Sequence, residues 1–352
     1  MKIIDIANIN TEKIESSLLT RNTYISTENM LSNCGGVEVA SSIPTGKVTS
    51  FCSDDTLISN IRPYFKKVWY ARFNGGCSND VICVRTKSET CLPAYLYYAL
   101  CTDKFIDTFS ASSKGTKMPR GDKNALLSYE IPDRTIAEQQ HIVDILGSLD
   151  ESIENNEKLA ANLENFALLE YQKISHNVTE NIALGDIIEI YDSKRKPLSS
   201  REREERKGSY RYFGATGVLD YVNDYLFDGE YVLLAEDGTV IDENGYPIVQ
   251  LVTGQFWVNN HAHIMRAKNG FTNYSLYIAL KKLQVKEAVT GAVQLKINQA
   301  NLCALELPAL ESEILAAFNS TIEPLFQMII HIRAEVEKLQ ELKQLYLRKF
   351  FG

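Results

Sequence analysis

RTIAEQQHIVDILGSLDESIENNEKLAANLENFALLEYQKI, residues 134–174, follows Pro132 and contains no proline of its own. Apolar residues recur at Ile142, Ile145, Leu146, Leu149, Ile153, Leu159, Leu163, Phe166 and Leu169, the three-and-four spacing of one helix face. The stretch therefore reads as one long amphipathic helix. Moved on by 176 residues, half of the chain's 352, the pattern returns without a gap. Phe318 takes the place of Ile142, Ile322 of Leu146, Leu325 of Leu149 and Ile329 of Ile153; further on, Leu339, Leu342 and Leu345 take those of Leu163, Phe166 and Leu169. Val336 continues the stripe. Pro324 is a departure, expected to start or kink the second helix because it lacks an N–H.

The repeat reaches upstream. GTKMPRGDKNALLSYEIP (115–132) and GAVQLKINQANLCALELP (291–308) share Gly115/Gly291, Leu126/Leu302, Glu130/Glu306 and Pro132/Pro308 at the same offset. LYYAL (96–100) and LYIAL (276–280) mark a short helix in each half, at offset 180. Before them lie short alternating runs such as YVLLAEDGTV and GQFWVNNHAHIMRA, which read as strands and turns. Otherwise the halves hardly match. The order is a variable domain (1–134), a long helix (135–176), a different variable domain (177–310) and a second long helix (311–352).

This order predicts an α+β protein in which two mixed α/β domains are joined by two long helices. The first helix leaves domain one and arrives at domain two, while the second starts at domain two. If their apolar faces meet, they form an antiparallel coiled coil and the halves are related by an approximate two-fold axis. The expected seam is Ile142, Leu146, Leu149, Ile153, Leu163 and Phe166 against Ile322, Leu325, Ile329, Val336, Leu339 and Leu342. The alternative is two helices docking separately on their own domains. About 38 helical residues at ~1.5 Å each span ~57 Å, a spacer for two readers of a duplex that has the same symmetry.

Composition is that of a soluble globular chain, 45% apolar and 23% charged. No apolar run approaches the ~20 residues of a membrane span, so the expected setting is the cytoplasm with no membrane contact. Seven cysteines without a Cys-x-x-Cys pair argue for reduced thiols rather than disulfides or a zinc knuckle. The net charge of −8 is unevenly spread, since residues 135–176 alone hold two basic and eight acidic residues. The variable domains are therefore free to carry basic surfaces.

Catalytic motifs are missing. None of the nine prolines adjoins another, which excludes the Asn/Asp-Pro-Pro-aromatic loop of amino-methyltransferases. FGATG (213–217) has the wrong glycine spacing for a dinucleotide turn, and Gly46-Lys47 is followed by Val48 rather than by a Walker hydroxyl. His261 and His263 show no third ligand nearby in sequence, so no metal and no cofactor is expected. Basic and aromatic clusters are present instead. NIRPYFKKVWYARFNGG (60–76) offers Arg62, Tyr64, Lys66 and Lys67, and SKGTKMPRGDK (113–123) offers Lys114, Lys117 and Arg120. Residues 193–214 carry eight basic residues, among them Lys194, Arg195, Lys196 and Arg211, against three acidic ones, with Tyr212 alongside. Asn259, Asn260, His261, Gln294 and Lys296 add groups of the kind that read base edges. A solvated charged face is the competing reading of each cluster. A nuclease built on Asp54, Asp55 and Asp80, or on Glu236 and Asp237, is an alternative, although no lysine follows at the spacing a metal-dependent nuclease would want.

AEQQHIVDILGSLDESIENNEKL in the helix, LISNIRPYFKKVWYARFNGGCSND (57–80) and GTKMPRGDKNALLSYEIP in the first domain, with GATGVLDYVNDYLFDGEYVLLAEDGT (214–239) and GQFWVNNHAHIMRA (254–267) in the second, together resemble the specificity subunit of type I restriction-modification enzymes. The resemblance covers the whole chain. It implies a noncatalytic reader of double-stranded DNA with two unlike target-recognition domains, each binding half of an interrupted site, and with the paired helices as the ruler for the gap. It further implies methyltransferase partners that supply S-adenosylmethionine chemistry and a motor-nuclease subunit that can join. The same design could serve another methylation or phage-defence system. The second helix departs from the family pattern in lacking the Glu-Gln-Gln phrase.

Overall fold

A computed structural model describes residues 1–87, 89–113, 115, 118–291 and 295–352. The chain divides into two compact units, residues 1–155 with 335–352, and residues 156–334. Both long helices cross that division: the first runs Ile136–Ser175 and the second Ser312–Phe351.

In the first unit, strands Ala7–Ile9, Val81–Thr86, Thr56–Ser59 and Val68–Tyr70 form an antiparallel sheet in that order. A second sheet orders Lys13–Glu15, Lys47–Phe51, Gly75–Cys77 and Tyr24–Ile25, the last pair parallel. Every residue of Thr56–Ser59 is buried, because successive side chains point to opposite faces and both faces are covered. Ile58 joins Ile82, Tyr95, Leu96 and Phe105 on the helical side. Leu57 joins Phe51, Trp69 and Cys77 on the side of the second sheet.

The second unit repeats the plan. Strands Ile188–Ile190, Ala262–Ala267, Tyr231–Ala235 and Val249–Val252 form its antiparallel sheet. A second sheet orders Val218–Val222, Lys207–Phe213, Gln255–Val258 and Phe227–Asp228, with a parallel pair at its centre. Tyr231–Ala235 is buried throughout. Val232 and Leu234 face Leu276 and Ile278, whereas Leu233 faces Phe213 and Phe256. LYYAL and LYIAL lie in the helices Pro93–Leu100 and Asn273–Lys281, as the sequence predicts.

Within each unit the long helices pack antiparallel. In the first, Ile142 and Leu146 share a core with Leu347 and Phe351, Arg134 donates to the Phe350 carbonyl at 3.1 Å, and Lys343 Nζ meets Asp150 Oδ1 at 2.5 Å. In the second, Tyr171 packs on Phe318 with ring centroids 5.7 Å apart, and Arg333 donates to Glu164 Oε2 at 2.8 Å. Glu164 also accepts from Tyr277 and Lys281 of the helix Asn273–Lys281.

The buried face departs from the expected seam. Ile142, Leu146, Ile322, Ile329 and Val336 are buried, and Leu149, Ile153, Leu163, Leu325 and Leu339 are half-buried. Phe166 and Leu342 correct the expectation, being 46% and 39% exposed. Ala160, Glu164, Ala167 and Tyr171 take the inside in place of Phe166, and Lys343 and Leu347 in place of Leu342. A straight helix drifts by about 20° per heptad against a strict seven-residue repeat. Here the helix also turns toward Tyr277 and Lys281, which bond to Glu164. Pro324 neither starts nor ends the second helix, which begins a dozen residues earlier at Ser312.

Lys343 is nine-tenths buried, so burial pushes its ammonium down, yet Asp150 outweighs that and holds it above the ordinary lysine range. Asp150→Ala would leave this charge unpaired and strip the Tyr98 hydroxyl of its acceptor. The expected loss is about 3 kcal/mol in urea denaturation, and Asp150→Leu combined with Lys343→Met should recover most of it.

Candidate nucleic-acid interface

In the first unit the basic-aromatic stretch forms a tight turn. Arg62 (φ 49°) and Lys66 (φ 54°) both adopt the left-handed conformation and bracket a short 3-10 turn, Pro63–Phe65. Tyr64 and Phe65 project into solvent with ring centroids 4.8 Å apart. Arg62 is exposed, and its guanidinium has no partner among the described residues. Lys66, one of the cations of the basic-aromatic cluster, is turned inward: it is 6% exposed and its Nζ lies 2.8 Å from Asp103 Oδ1. Its charge fastens the turn to the helix Asp103–Ala111. Lys67 is half-buried and donates to the Thr27 carbonyl at 2.7 Å. Arg120 is exposed, with Nη2 3.0 Å from Asp80 Oδ1. Lys114 and Lys117 lie outside the described residues.

In the second unit several expected contacts hold the fold together. Tyr212 is fully buried, and its hydroxyl accepts from the Leu198 amide at 2.9 Å. Asn259 is buried and accepts from the His261 amide at 2.8 Å. Arg195 lies in a half-buried network, 2.6 Å from Glu236 Oε2 and 3.4 Å from Asp192 Oδ2, and donates to the Ala262 carbonyl at 2.8 Å. Arg211 donates to the Thr253 carbonyl at 2.7 Å. These four side chains are committed to protein partners, so a base-reading role does not follow from their chemistry alone. Lys194, Lys196, Asn260, His261 and Lys296 are exposed. Lys194 lies over the Tyr191 ring at 4.8 Å, His261 Nδ1 meets Asp237 Oδ1 at 2.5 Å, and Lys296 Nζ meets Glu236 Oε1 at 3.1 Å. Gln294 lies outside the described residues.

The carboxylates weighed for a nuclease are engaged. Asp54 accepts from the Tyr70 hydroxyl at 2.7 Å, and buried Asp55 takes the Arg85 fork at 2.8 and 2.7 Å. Asp80, Glu236 and Asp237 hold Arg120, Arg195, Lys296 and His261. The fold supplies His263 with the neighbours its sequence context lacks: ligand-type atoms of Asp192, Glu236 and His263 lie within 4.8 Å of one another. Arg195 already serves as the cation of that cluster. His263 Nδ1 faces Asp192 Oδ2 at 2.6 Å and its Nε2 faces the Ile297 carbonyl at 2.8 Å. Among the described residues no helix is long and apolar enough to cross a membrane.

A family model described as type I restriction modification DNA specificity domain matches residues 1–165 and again 178–338. The chain belongs to this family. A type I specificity subunit of Haemophilus influenzae is 36% identical over 125 residues, which is 36% of this chain and 31% of that one. The MjaIX specificity subunit of Methanocaldococcus jannaschii is 24% identical over 296 residues, 73% of this chain and 68% of that one. This chain thus spans about a third of the length of the first relative and two thirds of the second. The crystal structure of a type I S subunit from M. genitalium matches with a TM-score of 0.57 at 20% identity, covering 100% of this chain and 95% of that one, and so shares the fold.

For a DNA specificity domain, what the sequence left unread is the role of the carboxylates that aim the cations: Asp103 carried no reading, and Asp80 and Glu236 were weighed only as nuclease carboxylates. Asp80, Asp103 and Glu236 have no motif of their own. The 176-residue offset could have pointed to one of them, since it puts Glu236 in the place of Asn60 and Lys296 in that of Arg120.

Burial pushes Asp192 and Glu236 up, but the His263 contact on Asp192 and the Arg195 and Lys296 bonds on Glu236 outweigh it and hold both below the usual carboxylate range. A folded pKa below the unfolded one gives stability that is present above the unfolded value and is lost as pH falls through the folded one. The urea midpoint of the second unit should therefore fall as pH is lowered from about 5 toward 3. Arg195→Met should flatten that fall by removing a cation that depresses Glu236.

Proposed function

We propose that this chain is the noncatalytic DNA-recognition subunit of a type I restriction-modification complex, working in the cytoplasm. Each unit reads one half of an interrupted target in double-stranded DNA. Methyltransferase subunits, which bind S-adenosylmethionine, and a motor-nuclease subunit assemble on it and carry out methylation and restriction. The observation that carries the reading is one scaffold built twice with different exposed side chains. The buried strands Thr56–Ser59 and Tyr231–Ala235 hold equivalent places, while the surface offers Arg62, Tyr64 and Arg120 in one unit and Lys194, His261 and Lys296 in the other. Shared framework with unlike contact groups suits two half-sites of unlike sequence.

The engagement of Asp54, Asp55, Asp80, Glu236 and Asp237 by protein cations and donors supports a division of labour in which bond-making belongs to partners. A second reading keeps the chemistry and changes the assembly, to another methylation or phage-defence system. Which proteins copurify with the chain separates the two.

Methylome sequencing of cells with and without this chain tests the reading. The expected result is one split methylated motif that disappears with the chain; retention of the motif, or DNA cutting by the purified chain alone, would overturn it. The assembled complex should also lose about a thousandfold in affinity between 50 and 200 mM salt, measured by fluorescence anisotropy.

A further inference from the structure

The same three-loop construction closes one end of the central sheet in each unit. In the first, the Arg62 amide donates to the Pro119 carbonyl at 2.8 Å and the Gly121 amide to the Asn60 carbonyl at 3.1 Å. In the second, the Gly238 amide donates to the Leu295 carbonyl at 3.0 Å and the Ile297 amide to the Glu236 carbonyl at 2.9 Å. All four residue pairs correspond at an offset of 176. A third bond joins the remaining loop in both, from the Asn60 amide to the Asp80 carbonyl and from the Glu236 amide to the His261 carbonyl, each 2.8 Å. Bridges pair Ile61 with Arg120 and, equivalently, Asp237 with Lys296. Arg120 and Lys296 therefore stand at one position of a shared frame. Each is exposed, and each is aimed by a carboxylate from a different loop, Asp80 in one case and Glu236 in the other.

A second position of the shared frame is left-handed in both units. Arg62 is left-handed at φ 49°, and its counterpart is Gly238 at φ 81°, where a Cβ would meet nothing within 4 Å. The frame thus calls for a left-handed residue, and glycine takes that conformation without the penalty a side chain incurs. The first unit places an arginine there, exposed and without a partner among the described residues. Strain kept at a surface position points to a role for the side chain beyond the fold.

We propose that this three-loop end is where each unit reads base edges in the major groove, with Arg62 and Arg120 as the specificity-determining residues of the first unit and Lys296 of the second. The inference rests on the DNA-recognition reading above and assigns its site. A guanidinium pinned at one nitrogen by Asp80 keeps its other donors for a guanine O6/N7 pair, in a rigid planar fork that the flexible point charge of a lysine does not reproduce. Tyr64 and Phe65, exposed beside Arg62, supply apolar contact of the sort that suits a thymine methyl.

The test assembles the full chain with its methyltransferase partners, maps the methylated motif and measures affinity for the wild-type target. Arg62→Gly gives the left-handed position the residue its counterpart carries, so thermal stability should be unchanged or higher while affinity falls by roughly tenfold or more. Arg120→Lys should relax one base position in one half of the motif and leave the other half intact; Lys296→Ala should do the converse. Unchanged motif and affinity in all three variants would overturn the inference, as would a uniform loss of affinity with no change of motif, the signature of phosphate contact. A wild-type complex that leaves no motif would instead remove the reading on which the inference rests.

Discussion

A forty-residue amphipathic helix must cover its apolar stripe along its whole length, and a small sheet domain covers only part of it. The chain meets this constraint by bringing a second helix back along the first within each unit. Ile142 and Leu146 are closed over by Leu347 and Phe351, while Ala167 and Tyr171 are closed over by Phe318 and Ile322. Charges set into these contacts fix them further. Asp150 accepts Lys343, and Glu164 accepts Arg333, Lys281 and the Tyr277 hydroxyl. Sliding one helix along the other would strand a desolvated charge, a cost of several kcal/mol that apolar packing alone would not impose.

With the stripe covered, the sheets need only bury their central strands. Thr56–Ser59 and Tyr231–Ala235 are enclosed on both faces, one by a helical layer and the other by a second sheet. The loops at the strand ends carry little of this packing. Their backbone amides satisfy one another, which leaves their side chains free to differ between units without loss of the frame. Aspartate and glutamate side chains then set where the cations point.

The long helices and the short LYYAL and LYIAL helices were legible because periodicity and offset report burial directly. The rotation of the buried face was not. Phe166 and Leu342 match the stripe by spacing, but the neighbours that turn the helix, Tyr277 and Lys281, are more than a hundred residues from Phe166 in sequence. Composition likewise identified basic clusters without telling which members face outward. Lys66 and Arg195 look like any other cation in a basic run, and their carboxylate partners Asp103 and Glu236 come from distant segments. Tyr212 and Asn259 were hidden for the same reason, since a polar side chain that serves a backbone amide reads in sequence like one that serves a ligand. Arg62 was within reach, because its alignment with Gly238 at the common offset carries information about backbone conformation.

The two units differ in how their chain is assembled. The second is one continuous segment, whereas the first completes its core with Leu347 and Phe351, which follow the whole of the second in order of synthesis. On the ribosome, residues 1–155 must wait, with Ile142 and Leu146 uncovered, while the intervening residues are made and fold. Chaperone engagement during translation should therefore concentrate on this half, and slow elongation through the second unit would lengthen its exposure.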